Sequence, residues 1–502
     1  GVNADRMKWW REARFGLFIH WGPVSLKGTE IGWSRGGERR GTGGTGQIPL
    51  DVYDNLYKEF NPVEFDAKEW VSIAKNAGMK YLVFTTKHHD GFCMFDSALT
   101  DYKITNTPFK RDIVKELADA CHEGGLGLGW YYSPPDWHHP DYRTANHAKY
   151  VEYLHGQIRE LLTNYGKVDV MWFDGLGGTA KDWDSGRLVK MIRELQPGII
   201  INNRAGLPED HDTPEQRVGT FQNTRPWETC MTLGDQWAFK PKDNVKSFEK
   251  CIDILVNCAG GDGNLLLNVG PTPTGRIETR QISRLAEIGA WMSRYGQTIY
   301  DTRGGPFLPQ AWGASTYHGP AVYVHVLDWK AVGEKLVLPG IPAKIEECTL
   351  LTGGKPKFRQ TRKKIEIQVP ETARQEPDTI IVLQLDKPAS EIEPVGMLPQ
   401  ALKKGMTATA SNFHQNDPEY APIKAFDGID STRWATDGGT HSAWLEVKYP
   451  KKITVAHVII KEACGDRVED FALQYGLQGT WKTFHGGKKI GEEFHATVEP
   501  VK

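Results

Sequence analysis

From residue 12 to 270, two patterns of apolar and polar positions take turns along the chain. Short apolar and aromatic runs read as buried strands at Gly16–His20, Lys80–Thr85, Gly125–Tyr132, Val168–Phe173, Gly198–Asn202 and Asn264–Val269. Between them, apolar residues at three- and four-residue spacing predict helices over Asp66–Ala77, Ile113–Glu123, Ala148–Tyr165, Arg187–Gln196 and Lys246–Cys258, and a helix over Glu278–Ser293 ends this region. In the first of these, Trp70, Ile73 and Ala74 share one face. Strands and helices in alternation with short connections predict a parallel sheet. This many units predicts a (β/α)8-like barrel. A doubly wound open sheet is the alternative, weakened because polar residues cluster after nearly every strand, as one face of a closed barrel requires.

Past Thr302 the period changes. Val322–Leu327, Thr349–Leu351, Lys364–Val369 and Ile380–Leu385 read as strands separated by Gly and Pro turns, with no long helix between them. The expected organisation is multidomain, α/β followed by all-β. A barrel spans 1–302, a β-sandwich 303–390, a linker 391–405 and a second β-rich module 406–502.

The strand ends carry the candidate chemistry. Val168–Phe173 ends in Asp174, followed at once by Gly175. A lone aspartate there reads equally well as a helix cap or turn residue. Trp172 lies two residues back, and alternate residues of a strand point the same way, so Trp172 and Asp174 face one site. His20-Trp21-Gly22, Lys87-His88-His89-Asp90, Tyr131-Tyr132-Ser133 and Asn202-Asn203-Arg204 end four further strands. Five such clusters would converge on one barrel face. An aromatic wall beside a carboxylate suits a sugar ring. Glycoside hydrolysis needs a second carboxyl group, and spacing alone leaves Glu215 and Glu228 as alternatives for it, with Glu209, Asp210 and Asp212 in the same stretch.

Composition narrows the partners. A net charge of −2 argues against nucleic acid or an anionic membrane as the main partner, and no apolar run approaches a membrane span of about 18 residues. Seven scattered cysteines without a CxxC pair predict buried free thiols. His88, His89, His138 and His139 with Asp90, Asp136 and Asp141 hold ligand types for a metal but lack metal-site spacing, so no catalytic metal is expected. Residues 41–46 match a dinucleotide-binding glycine pattern, but no strand precedes them. They read as a flexible loop whose arginines, Arg35, Arg39 and Arg40, are solvated, with a lid or an anion contact as the sharper alternative.

The stretches 15–23, 64–97, 107–121, 130–142, 168–175, 213–216, 226–239 and 260–277, in order, resemble the α-L-fucosidases of glycoside hydrolase family 29. The resemblance implies a barrel followed by a β-sandwich. It also implies Asp174 as nucleophile and Glu215 as acid/base, with Glu228 as the fallback. Sugar contacts would come from His20, His88, His89, Tyr131, Trp172 and Arg204, and an aromatic near the sugar's methyl group from the region of Trp237 and Phe239. Trp237-Ala238-Phe239 stands where Trp-Gly-Tyr is common, and the 34–47 loop departs from the family pattern. Residues 424–462 resemble a discoidin-like or family 32 carbohydrate-binding module. Such modules often hold a structural calcium, here near Asp427, Asp430 and Thr432. The segment stops short of a complete module, which predicts further residues beyond Lys502.

The expected activity is retaining exo-hydrolysis that releases terminal α-L-fucose from glycans, with no cofactor needed for catalysis. The alternatives are an exo-α-L-galactosidase acting on an algal galactan and, in another class, a non-catalytic carbohydrate-binding protein. Fucosylated or L-galactose-containing glycans are the expected partners. A chain beginning Gly-Val-Asn-Ala rather than Met reads as trimmed, which neither shows nor excludes export; the expected setting is a bacterial periplasm or the cell exterior.

Overall fold

A computed structural model describes residues 4–396, 405–426, 432–450, 453, 455–463, 467–477, 480–491 and 494–501. Asp427 and Asp430, and with them most of the expected calcium loop, lie outside the described residues, as does Cys464. The chain divides into two compact units, Gly1–Gly396 and Met397–Lys502.

Seven parallel strands form the sheet of the first unit. They are β1 (Phe15–Ile19), β2 (Tyr81–Lys87), β3 (Gly127–Tyr132), β4 (Val170–Phe173), β5 (Ile200–Ile201), β6 (Glu228–Thr232) and β7 (Asn264–Val269), in the order β5-β4-β3-β2-β1-β7-β6. Residues 211–215 bridge the two edges in parallel register, through Asn202↔His211 on one side and Asp212↔Trp227 and Glu215↔Cys230 on the other. The sheet therefore curls into a barrel whose eighth stave is irregular. The sequence pattern missed this stave because Pro208, Pro214 and its acids read as loop, and Pro214 has no N–H to donate. Pro214 contributes through its carbonyl instead: Cys230 N–H donates to the Pro214 oxygen (3.0 Å).

Each strand feeds two cores, as a period of two requires. Phe18, Tyr81, Val83, Tyr131, Val170, Trp172, Ile200, Cys230 and Leu266 pack together inside the barrel. Their neighbours Leu17, Leu82, Leu128, Met171 and Leu267 pack outward with the helices. The helix Ala67–Asn76 starts where Asp66 caps the N–H groups of Lys68 and Glu69, and it buries Trp70, Ile73 and Ala74 as expected. A short helix that the sequence pattern did not reveal, Ala4–Ala13, inserts Met7, Trp10 and Ala13 into the interior cluster. It closes the end opposite the strand C-termini.

Strands β8 (Arg303–Gly304), β9 (Gly313–His318), β10 (Ala321–Val326), β11 (Leu336–Pro339), β12 (Ile345–Leu350), β13 (Lys357–Gln360), β14 (Lys364–Gln368) and β15 (Thr379–Leu385) form two antiparallel sheets, β12-β15-β10-β9-β8 and β11-β14-β13. One apolar core built on Val322, Val324, Ile365, Ile367, Ile381 and Leu383 lies between them. Ile392 joins this core, and Val395 pairs with Phe307, so residues 391–396 stay with the sandwich. The remainder of the expected linker up to residue 404 lies outside the described residues. Buried Asp262, just before β7, accepts hydrogen bonds from Arg11, Arg14 and Arg303 and so ties the sandwich to the barrel.

The second unit is all-β. Its described strands pair antiparallel as β16 (Thr407–Ala410) with β17 (Leu445–Lys448), β18 (Val455–Ile460) with β21 (Phe494–Val501), and β19 (Phe471–Leu477) with β20 (Thr480–Gly487). No helix of the described residues is long and apolar enough to cross a membrane.

Candidate active site

The C-terminal ends of the barrel strands bring the predicted residues to one face. His20 follows β1, His88 and His89 follow β2, and Tyr131 lies in β3. Asp174 follows β4, Arg204 follows β5, Glu215 ends the irregular stave, and Trp237 follows β6.

Arg204 is the hub. Its Nη1 donates to Asp174 Oδ1 at 3.0 Å and pairs with Glu215 Oε2 at 2.9 Å. Its Nε and Nη2 are held by the hydroxyl and carbonyl of Thr213 (2.7 and 2.9 Å). The guanidinium lies over the Trp172 ring, 4.9 Å from its centroid. A planar fork fixed at every edge sets its contacts rigidly. Thr213 and Glu215, two residues apart on one stave, both turn toward it. The second oxygen of Asp174 accepts from the Tyr131 hydroxyl at 2.9 Å and has His89 Nε2 at 3.5 Å. The two carboxylates differ in access: the Asp174 side chain is 14% exposed and that of Glu215 43%. One acid is therefore enclosed and the other opens to water.

Two of the three histidines, His89 and His20, are held in defined tautomers. Ser133 Oγ donates to the Pro135 carbonyl (2.6 Å), so its lone pair must receive the proton of His89 Nδ1. Burial pushes the His89 pKa well below the usual histidine value. The neutral ring therefore presents a bare, buried Nε2, 3.5 Å from Asp174, that accepts from no donor among the described residues. Asn268 donates to the Trp237 carbonyl and accepts from His20 Nδ1 (2.7 Å), which fixes His20 in the same way. His88 is pushed down by burial, and its ring stacks on Tyr131 at 5.4 Å with buried Nδ1 unpartnered. Buried polar atoms without partners call for a reason, and hydroxyl groups of a ligand on this face would supply one. Burial outweighs the Asn268 hydrogen bond and the Asp174 charge and brings His20 down to about 4. We expect the His20 ring nitrogens to show no protonation step between pH 8 and 5 in a nitrogen-15 NMR titration. A step near 6.5 would contradict the enclosed, neutral ring.

One atom each of His88, His89 and Asp174 lies within 4.8 Å of the others, close enough to share a metal ion. The Arg204 guanidinium, 3.0 Å from the same carboxylate, opposes a cation there. The other histidine pair serves structure. Asp136 accepts from Lys87 Nζ (3.0 Å) and from the backbone N–H groups of His138 and His139, and His138 stacks on Tyr102.

With this geometry in view, the comparisons with known proteins decide the family. The α-L-fucosidase family profile matches residues 2–297. The chain belongs to the α-L-fucosidase family of glycoside hydrolases. Human plasma α-L-fucosidase is 30% identical over 397 residues, covering 69% of this chain and 82% of its own. Among solved structures, α-L-fucosidase isoenzyme 1 from Paenibacillus thiaminolyticus is 38% identical, with a TM-score of 0.69, and covers 76% of this chain and 99% of its own. A family 29 α-L-fucosidase from Bacteroides thetaiotaomicron, solved as a trapped covalent intermediate in complex with 2-fluoro-fucosyl fluoride, is 30% identical with a TM-score of 0.68. It covers 76% of this chain and 96% of its own. Residues 407–501 match the F5/8 type C domain, the discoidin-like module expected from the sequence.

Against the residues read from the sequence, the geometry makes three distinctions. Glu228 lies inside the barrel and is almost fully buried. It accepts from the Trp172 indole (3.0 Å) and from the Tyr81 hydroxyl, so it stands behind the aromatic wall rather than beside Asp174. Trp237 packs on His20 (4.8 Å) and Phe18 (5.9 Å), whereas the half-buried Phe239 ring makes no such ring contact among the described residues. Arg35, read from the sequence as solvated, is buried: its fork binds Asp54 through two 2.7 Å bonds, and a carboxylate 19 positions away was not visible in the local charge pattern.

Four contributors escaped the sequence reading. Glu30 accepts from the backbone N–H groups of Trp237 and Ala238 (2.8 and 2.9 Å) and so sets the Trp237 turn. Trp33 meets the His89 ring edge-on at 5.5 Å. Thr213 and Asn268 orient Arg204 and His20. The signal for Asn268 was its strand register; for Thr213, on the irregular stave, and for Glu30 and Trp33, in an irregular loop, there was none.

Proposed function

We propose that this chain is a retaining exo-α-L-fucosidase that releases terminal fucose from glycans, with Asp174 as nucleophile and Glu215 as acid/base. The observation that carries the reading is the shared Arg204 nitrogen. With Asp174 Oδ1 at 3.0 Å and Glu215 Oε2 at 2.9 Å from one atom, the two oxygens lie within about 6 Å of each other, near the roughly 5–5.5 Å of retaining glycosidases and short of the 6.5–9.5 Å of inverting ones. In the first step, an Asp174 oxygen bonds to C1 while the bond from C1 to the leaving oxygen breaks, and Glu215 gives that oxygen its proton. In the second, Glu215 takes a proton from water, the water oxygen bonds to C1, and the Asp174 ester bond breaks. Histidine nitrogens accept sugar hydroxyls, Trp172 stacks beside the ring, and Trp237 offers an apolar surface to the methyl group of a 6-deoxy sugar. The reaction so written needs no metal.

The test follows hydrolysis of an aryl α-L-fucoside by proton NMR beside the matching α-L-galactoside. We expect the α-anomer to form first and the fucoside to be preferred by up to about 10²-fold, the range in which an apolar pocket discriminates against one added hydroxyl. First appearance of the β-anomer would contradict retention, and equal or better use of the galactoside would contradict the sugar.

A further inference from the structure

The rim loop that departs from the family pattern holds a charge that no carboxylate among the described residues neutralises. Arg39 lies over two tryptophans, its guanidinium carbon 5.2 Å from the Trp33 centroid and 5.5 Å from that of Trp137. Both rings pack on His89, at 5.5 and 5.1 Å, and His89 Nε2 is 3.5 Å from Asp174. The guanidinium is therefore anchored at the edge of the catalytic pocket. Nη2 donates to the Trp33 carbonyl, and Nε is buried without a partner among the described residues.

Neighbouring arginines provide the contrast. Arg35 is paired with Asp54 through two bonds, and Arg143 with Asp182 at 2.7 Å. Among the described residues no carboxylate pairs with Arg39. Burial lowers its pKa, and no acid opposes that shift. Nor does the loop cover it with side chains. Gly43 and Gly44 both adopt left-handed backbone, at φ of 79° and 75°, a Cβ at Gly43 would meet nothing, and one at Gly44 would only just touch Nη1. A half-buried guanidinium lying over two aromatic rings, short of acceptors and open on one side, is built to meet an anion.

We infer that Arg39 forms a subsite for an oxyanion substituent, a carboxylate or a sulfate ester, on the glycan whose terminal sugar enters the Asp174 pocket. This deepens the fucosidase reading and rests on it for the identity of the terminal sugar. Arg39 acts here as a specificity determinant with no part in bond breaking, so neutral substrates turn over without it.

The experiment compares three aryl α-L-fucosides: one neutral, one with a carboxylate on the aryl group, and one with a sulfate ester on the sugar ring. Wild type, Arg39→Gln and Arg39→Lys are each assayed for kcat/KM at low and physiological salt. We expect Arg39→Gln to leave the neutral substrate within about twofold and to lower at least one charged substrate about tenfold or more, most strongly at low salt. Arg39→Lys keeps part of the preference, since the charge stays and the fork is lost. Whichever charged substrate responds identifies where the oxyanion sits. An equal loss on all three substrates would overturn the inference, because it would report only lost packing on Trp33. So would no loss on either charged one. If wild type hydrolyses none of them, the fucosidase reading fails separately. The affinities of the same three ligands then decide: a preference for charge that Arg39→Gln removes upholds the subsite, and its absence overturns it.

Discussion

Asp174→Asn is expected to lower kcat/KM on an aryl α-L-fucoside by about 10⁴-fold or more, as loss of a group central to covalent catalysis does in other hydrolases. The amide has nearly the same shape, so Tyr131 and Trp172 keep their places. What it lacks is the negatively charged oxygen that bonds to C1, and its NH2 group faces either the Arg204 or the Tyr131 donor. The loss should therefore appear chiefly in kcat, with the unfolding midpoint shifted little and fucose still bound. Activity within tenfold of wild type would remove Asp174 from the reaction. A collapse of thermal stability without loss of turnover per folded molecule would make it a structural residue, the reading it has as an isolated strand-end aspartate.

The second large effect depends on the leaving group. Glu215→Ala should cost about 10²–10⁴-fold when the leaving group is another sugar, because a sugar oxygen needs a proton as its bond breaks. A nitrophenolate leaves without one, so its first step should suffer far less. The second step still lacks a base, and added azide, which needs none, should restore turnover and yield a fucosyl azide. Glu228→Gln provides the control. Glu228 acts on the pocket through the Trp172 indole, to which it is hydrogen-bonded, so its loss should act equally on both kinds of substrate and show no azide rescue. A dependence on the leaving group at Glu228 and none at Glu215 would exchange their assignments.

Much of this site was legible in the chain because barrel strands announce themselves. Val168–Phe173 is apolar, ends in an acid, and places Trp172 and Asp174 on one side by simple alternation; the interior packing of Trp172 and the outward packing of Met171 follow the same rule. His20, His88, His89, Tyr131 and Arg204 were found in the same way, as polar residues at or just after apolar runs. What the pattern could not reveal depends on contacts distant in sequence or on irregular backbone. The stave that carries Glu215 pairs through isolated bridges and proline carbonyls, so it has no strand signature. Local spacing accordingly left Glu215 and Glu228 undecided. Glu228 begins a regular strand whose first residue points inward beneath Trp172, a matter of register that short runs do not specify. The burial of Arg35 depends on Asp54, and the position of Trp33 on a loop of glycines and arginines without periodicity.

The central claim is that a carboxylate oxygen of Asp174 forms a bond to the sugar. The most direct measurement incubates the protein with a 2-deoxy-2-fluoro-α-L-fucosyl donor bearing a good leaving group, digests it, and locates the added mass by tandem mass spectrometry. The account predicts one fluorofucosyl group per chain, on the peptide containing Asp174, released as turnover resumes and absent from Asp174→Asn. Label on Glu215 or Glu228, or turnover of the donor with no label on any carboxylate, would contradict it.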